Sequence, residues 1–424
     1  MSGSELAAPV MDSPETRRYL DDTVRVWLGL ATDADVEPPA LPDRLARQLL
    51  RLEEYENVHR DRWGRWEFDF SENFQAGRLW VPEVDRWVAE RRAELAPATA
   101  LVPLWPEGRR FAVCLTHDVD LVSRESTPRQ IMRYARAGLA RTGTTRRQEL
   151  LRFARPPIRV ARSLRSGAAR VPSTRDTLER SVALETRRGA VASYLFTVPP
   201  AGGRSRYDCA YAPSDLCLFR EAPRRVADVM RTLADEGFDI GLHGSYQAGV
   251  RPGALAAERA ALERATGLEV RTTRQHLLHW DVRWTPGLQV EAGLRVDSSL
   301  GFNGNVGFRA GTSLPFRHFD VATRRLLDLL EVPLVVQDAA LLGSWGLDLD
   351  IARASNVVRQ LFDSAVEVGC AVTLLFHPDR LVHPDWLTLY EWTLDYAVAQ
   401  KGWLTSLDGL STWWRGREAS LLGD

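Results

Sequence analysis

The sequence predicts an α/β fold built on a mainly parallel sheet of seven or eight strands, either a barrel or an open doubly wound sheet. Three observations carry this. From about residue 108 onward, short apolar runs alternate with amphipathic stretches of helical spacing, the signature of strand–helix units. Residues 1–105 lack that alternation. The chain is also long enough, at 424 residues with 45% hydrophobic side chains, to bury a large core.

The expected strands are 111–120, 192–198, 239–246, 272–280, 294–302, 329–336 and 371–379, with 403–407 as an eighth. Helices are expected between them at 174–188, 220–236, 253–266, 284–292, 351–368 and 385–399. The region 1–105 reads as small and mostly helical, with helical spacing at 15–30, 41–57 (Leu41, Leu45, Leu49, Leu50, Leu52) and 81–95. Trp63, Trp66, Phe68, Phe70 and Trp80 lie between these segments. They suit a local core and, as a second reading, a stacking platform for a sugar. The domain organisation expected is therefore 1–105 and 106–424.

Several function classes fall away on composition. Lys+Arg number 55 and Asp+Glu 56, a net charge of −1, which argues against a generic nucleic-acid binder. The cysteines, Cys114, Cys209, Cys217 and Cys370, form neither a disulfide framework nor a Cys-x-x-Cys zinc knuckle. No apolar run of ~18 residues predicts a spanning helix, and the N-terminus lacks the pattern of a secretory signal. A cytoplasmic location is expected. Lys401 is the only lysine, which disfavours Schiff-base chemistry. Neither G-x-G-x-x-G after the first strand nor a P-loop motif occurs.

An insertion at about 121–173 holds thirteen arginines, Arg124 to Arg170, against Glu125 and Glu149. It reads as a solvated helical excursion. The alternative is a surface for anionic lipid or another polyanion, giving peripheral contact with a membrane.

Chemistry gathers at strand ends. His117, His243, His276, His279 and His377 all stand at the carboxyl ends of expected strands, the edge on which α/β folds build sites. Strand alternation sorts them. Thr116, Asp118 and Asp120 share a face, with His117 and Val119 on the other. Arg274 shares a face with His276, and His279 points away. His377 shares one with Asp379. One Asp with two His is a common way to hold a catalytic divalent ion. A second Asp then serves as base and a separate His as acid.

In their order, these segments resemble the polysaccharide deacetylase family (NodB-homology, carbohydrate esterase family 4), in a divergent bacterial branch, over residues 111–415. CLTHDVD resembles the first motif, T-x-D-x-D. His243-Gly244-Ser245-Tyr246-Gln247 resembles H-[ST]-x-x-H with Gln247 in place of the second histidine. Arg274-Gln275-His276-Leu277 stands for the arginine-led segment, and LLFHPD for the terminal L-x-H. The resemblance implies a distorted (β/α) barrel and a hydrolase that removes acetyl groups from N-acetylated carbohydrate with a bound divalent metal, usually zinc. It implies Asp118 as base, Asp120 and His243 as metal ligands, Arg274 as the group orienting the base, His377 as acid, and Asp297 as the support of His377. We expect His276 to replace the missing ligand, with Gln247, His117 and His279 as the other options. Two further readings are hydrolysis of a non-sugar amide or ester, and a silent domain that binds glycan or lipid. A glycosidase is disfavoured, because Asp118 and Asp120 are too close on one strand to flank a sugar bond.

Overall fold

The computed structural model describes residues 10–34, 36–122, 177–200, 202–220 and 222–423. The arginine-rich insertion expected at 121–173 lies almost wholly outside the described residues.

Among the described residues twelve strands occur: β1 (Ala112–Val119), β2 (Ser193–Phe196), β3 (Leu216–Phe219), β4 (Ala222–Arg225), β5 (Asp239–Gly244), β6 (Thr272–Gln275), β7 (Val296–Asp297), β8 (Phe316–Asp320), β9 (Arg325–Glu331), β10 (Leu334–Gln337), β11 (Ala371–Leu375) and β12 (Trp403–Thr405). Ten form one sheet in the order β10-β11-β1-β2-β5-β6-β7-β9-β8, with β12 also pairing to β1. Every pairing in it is parallel except β8 with β9. All eight residues of β1 are buried, as expected of a strand covered on both faces. One edge of β1 pairs with β11, from Ala112↔Ala371 to Thr116↔Leu375. The other pairs with β12 at its start and with β2 at its end.

The sheet curls into a distorted barrel, and the chain itself shows why. β9 and β10 lie at opposite sides of the hydrogen-bonded order, yet only Val332 and Pro333 separate them. Two residues span at most ~11 Å between flanking Cα atoms, so the sheet must bend round until its two sides meet. The run 329–336, expected as one strand, is two because Pro333 has no N–H to give to a ladder. The hairpin β3–β4 and strand β8 were not expected either. β4 occupies the start of the helix expected at 220–236, which begins at Val226.

The helices follow local signals. Ser13 accepts from Thr16 N ahead of Pro14–Leu28, which Gly29 ends in a left-handed conformation. Asp350 caps Arg353 N and Gly369 closes Ile351–Val368, the span expected. Leu407–Leu422, capped by Ser406, is a helix the sequence reading did not include. Among the described residues, no helix is long and apolar enough to cross a membrane.

Residues from both sides of position 105 share one apolar core, from Val24, Trp27 and Leu49 to Phe111, Leu195 and Phe362. Polar ties reinforce it. Trp27 Nε1 donates to Pro315 O at 2.9 Å. Glu54, fully buried, is clamped by Arg51 and Arg309, each at 2.6 Å. Trp66 is buried against Phe302, the core role expected for that aromatic segment.

Candidate metal and acid–base site

Five strands bring the polar residues together at their carboxyl ends. β1 carries Asp118 and leads into Asp120, β5 carries His243, β6 carries Arg274 and leads into His276, β10 leads into Asp338, and β11 leads into His377. The close approach of β5 to β6 depends on Gly241, where a Cβ would stand 2.8 Å from Thr272 O. After His276 the chain turns through two left-handed leucines, Leu277 (φ 55°) and Leu278 (φ 48°). Such conformations cost roughly 1–3 kcal/mol each. Leu278 is held by packing on Leu334 and Leu375.

The alternation read from the sequence is what the strands show. Arg274, fully buried, donates from Nη1 to Asp118 Oδ1 at 2.9 Å and to Thr116 Oγ1 at 2.8 Å. Its Nε and Nη2 are fixed on Ser298 O and Ser298 Oγ. Burial would raise the Asp118 carboxyl, but His243 and Arg274 beside it hold it below its ordinary value.

Three potential ligand atoms converge. His243 Nε2 lies 2.8 Å from His276 Nδ1 and 3.4 Å from Asp120 Oδ1, and His276 Nδ1 lies 3.5 Å from the same oxygen. Tetrahedral zinc with bonds of about 2.0–2.1 Å sets its ligand atoms roughly 3.3–3.5 Å apart; both Asp120–histidine distances match that spacing, while the 2.8 Å between the two histidine nitrogens is a hydrogen bond that opens by roughly half an ångström if both ligate one ion. His243 is oriented from behind: its Nδ1 is hydrogen-bonded to Arg274 O at 3.0 Å, which turns Nε2 toward His276 and Asp120. Burial opposes the charge on Asp120, but His276 and His243 hold its carboxyl well below the ordinary range. Burial pushes the His276 imidazole down, with Asp120 opposing. Cys209 Sγ stands beside this group, 3.6 Å from Asp120 Oδ1 and 3.8 Å from His276 Nδ1.

His377 faces the same point from the other side, its Nε2 3.8 Å from Asp120 Oδ2. Its Nδ1 meets Asp338 Oδ1 at 2.7 Å, and its backbone N–H donates to Asp338 Oδ2 at 2.7 Å. Burial disfavours the imidazolium, but Asp338 and Asp120 push the pKa up to about 10.

Asp338, not Asp297, therefore holds His377. Asp297 accepts from Ser299 Oγ at 2.6 Å and belongs to a separate buried group with Glu331 and His318. The strand-end rule that singled out the histidines would have found Asp338, which directly follows β10. Nothing in the sequence marks Cys209, because a loop brings it in from between β2 and β5. The other options for the missing ligand fall outside the cluster. Gln247 is exposed. His117 is buried on the outer face, between Phe376 O and Glu185. His279 stacks on Tyr246 at 4.3 Å. Asp379 stays near the site, its carboxyl raised by burial and by Asp120.

The N-terminal region lines the rim of this group. Tyr246 donates its hydroxyl to Trp63 O, and Arg65 Nη1 reaches Leu277 O at 3.4 Å. Trp63 is half-buried, with the Arg62 guanidinium 3.8 Å above its ring.

No family model matches the chain, and no curated protein does. Solved structures do. A Mycobacterium smegmatis protein described as a polysaccharide deacetylase matches at TM-score 0.48 and 19% identity, over 76% of this chain and 96% of that one. The Puue allantoinase matches at 0.46 and 14%, over 75% and 95%. A Pseudomonas aeruginosa PAO1 protein described as a polysaccharide deacetylase matches at 0.43 and 14%, over 75% and 95%.

Proposed function

We propose that the chain is a metal-dependent deacetylase that hydrolyses the amide of an N-acetylated sugar or glycan precursor. The observation that carries this reading is the convergence of three chemical parts on one point. They are a carboxylate fixed by an arginine, an aspartate with two histidines whose donor atoms gather within 3.5 Å of one another, and a histidine kept charged by its own aspartate. A binding module needs neither a fixed base nor a charged acid.

Asp120, His243 and His276 would hold the ion. A divalent metal there would supply Lewis acidity to the scissile carbonyl and acidify a water molecule. Asp118 accepts the proton of the attacking water, and Arg274 keeps that carboxylate ionised and aimed. His377 donates a proton to the departing nitrogen, which is a poor leaving group until protonated. Asp338 holds the imidazole in the orientation that points Nε2 at the site.

Acetate release from a panel of N-acetylated sugars and their nucleotide- and lipid-linked forms tests the substrate class. Zinc content of the purified protein tests the cofactor. Stoichiometric zinc that His276→Ala abolishes in a folded protein, together with acetate release, is the expected result. Turnover of other amides or esters with no acetate release from any sugar would overturn the substrate class. Full metal occupancy in His276→Ala would overturn the ligand set.

A further inference from the structure

We propose that Cys209 is a fourth protein ligand, so that the ion is held by a thiolate as well as by Asp120, His243 and His276. This inference rests on the metal reading above and adds to it a donor that neither the sequence motifs nor the resemblance contains.

Geometry comes first. Cys209 Sγ lies 3.6 Å from Asp120 Oδ1 and 3.8 Å from His276 Nδ1, the two atoms that already stand 3.5 Å from each other. A tetrahedral ion with a sulfur bond of about 2.3 Å and nitrogen or oxygen bonds of about 2.0–2.1 Å would set sulfur roughly 3.5–3.6 Å from its fellow ligands. The thiol is thus within a few tenths of an ångström of the spacing that a shared ion sets to Asp120 and His276. Asp120, Cys209 and His276 together already form a compact donor group, and His243 Nε2 is in contact with two of its atoms.

The loop is pinned on both sides of the cysteine. Asp208 accepts from Tyr246 N at 2.8 Å, which ties it to the turn after β5. Tyr211 donates its hydroxyl to Val119 O at 2.7 Å and accepts from Thr197 N at 3.0 Å, which ties it to the ends of β1 and β2. Cys209 is therefore delivered to the carboxyl edge by its neighbours, as supporting contacts deliver metal ligands. Cys114 and Cys217 lie within β1 and β3, and Cys370 just precedes β11, so none of them is placed at that edge.

Charge agrees. A carboxylate and a thiolate with two neutral imidazoles carry two negative charges, which a dication neutralises. Ligation replaces the Cys209 S–H bond with a sulfur–metal bond and releases that proton to solvent, with no electron transferred. A thiolate also changes which ion is held: sulfur favours zinc or cobalt, whereas magnesium and calcium prefer oxygen. Four protein donors leave room for a reacting group only if the coordination expands to five.

The test uses the full chain loaded with cobalt(II) alone, read by absorption spectroscopy and by bound metal per chain. Wild type should bind one cobalt and show an intense near-ultraviolet thiolate-to-cobalt band alongside the weaker visible bands. Cys209→Ser should lose the near-ultraviolet band and still bind cobalt. Its affinity should fall by more than the ~10–100-fold that loss of a supporting contact costs. Cys114→Ser, Cys217→Ser and Cys370→Ser should keep the band, which assigns it to Cys209 even if Cys209→Ser does not fold. One bound cobalt in wild type without the band, or the band surviving in Cys209→Ser, overturns the thiolate ligand and leaves the metal reading standing. Absence of any stoichiometric cobalt or zinc in wild type overturns both.

Discussion

Two groups in this protein combine acid and imidazole and have opposite character. Asp120, His243, His276 and His377 gather at the carboxyl ends of strands, whereas Asp297, His318 and Glu331 meet where β7, β8 and β9 adjoin. In the first, opposite charges face each other: Arg274 and the histidines hold Asp118 and Asp120 ionised, and Asp338 holds His377 charged. In the second, burial wins. It pushes Asp297 up to about 7 and Glu331 to about 8, and it lowers His318 to about 4. Access differs too. The Asp120 side chain is 29% exposed, while His318 and Glu331 are 6% and 0%. Residue types alone do not make a reactive centre; compensated charge and an open side do.

The largest expected effects test that contrast directly. Asp118→Asn and His377→Ala should each lower turnover by ~10²–10⁴, the usual reach of a general base or acid, with bound zinc unchanged. Asp297→Asn and Glu331→Gln should leave turnover within a few-fold. Steady-state kinetics on any accepted substrate decides it, and the contrast collapses if the second pair costs as much as the first.

Asp338→Asn comes next. It keeps a hydrogen-bond partner for His377 but removes the charge. It should cost on the order of 10–10²-fold in kcat, less than His377→Ala. A merely structural aspartate would instead lower the folded fraction and leave kcat per folded molecule unchanged.

Stability should respond most at a third buried polar group. Glu54→Ala strands Arg309 with no carboxylate partner and leaves Arg51 with Glu53 alone, at about 3–5 kcal/mol. One cooperative denaturation transition, shifted as a whole, is expected, because the N-terminal helices and the barrel share a core. A separate early transition would show instead that the N-terminal region melts by itself.

The last test concerns pH and Glu331, which faces Asp297, His318, Arg274 and Arg309. Its folded pKa, about 8, exceeds the ordinary 4.5. Between those values the native state keeps a proton that the unfolded chain has lost, so stability falls as pH rises from about 4.5 to about 8 and then levels. Glu331→Gln should flatten that slope in denaturant titrations, and an unchanged slope would assign it to another group.

Much of this was legible in the sequence because strands obey a period of two. Within β1 that period put Asp118 on the inner face and His117 on the outer one, as the structure has them; the strand expected at 272–280 ends at Gln275, so it is the turn through Leu277 and Leu278, not the period, that separates His279 from His276. Tertiary pairing has no such local sign. Asp297 was assigned to His377 through motif order, whereas Asp338 holds it because β10 and β11 are neighbours in the sheet. Cys209 depends on a loop pinned by Tyr211. The split of 329–336 turned on the missing N–H of Pro333, a signal present in the sequence and outweighed there by the apolar run around it.

The placement of β1 also governs when the site can exist. The base strand does not pair with its sequence neighbours alone. Its Asp118 region is locked against β11, where His117 meets the carbonyl of Phe376 259 positions further on. Contacts of such separation are slow to form, since a long loop must close before they repay it. During synthesis the central strand has one of its edges unpaired until β11 has emerged, and until then its buried residues are a sticky ribbon. Asp118 and His377 thus meet late, so a partly made chain presents neither a finished barrel nor the assembled polar group.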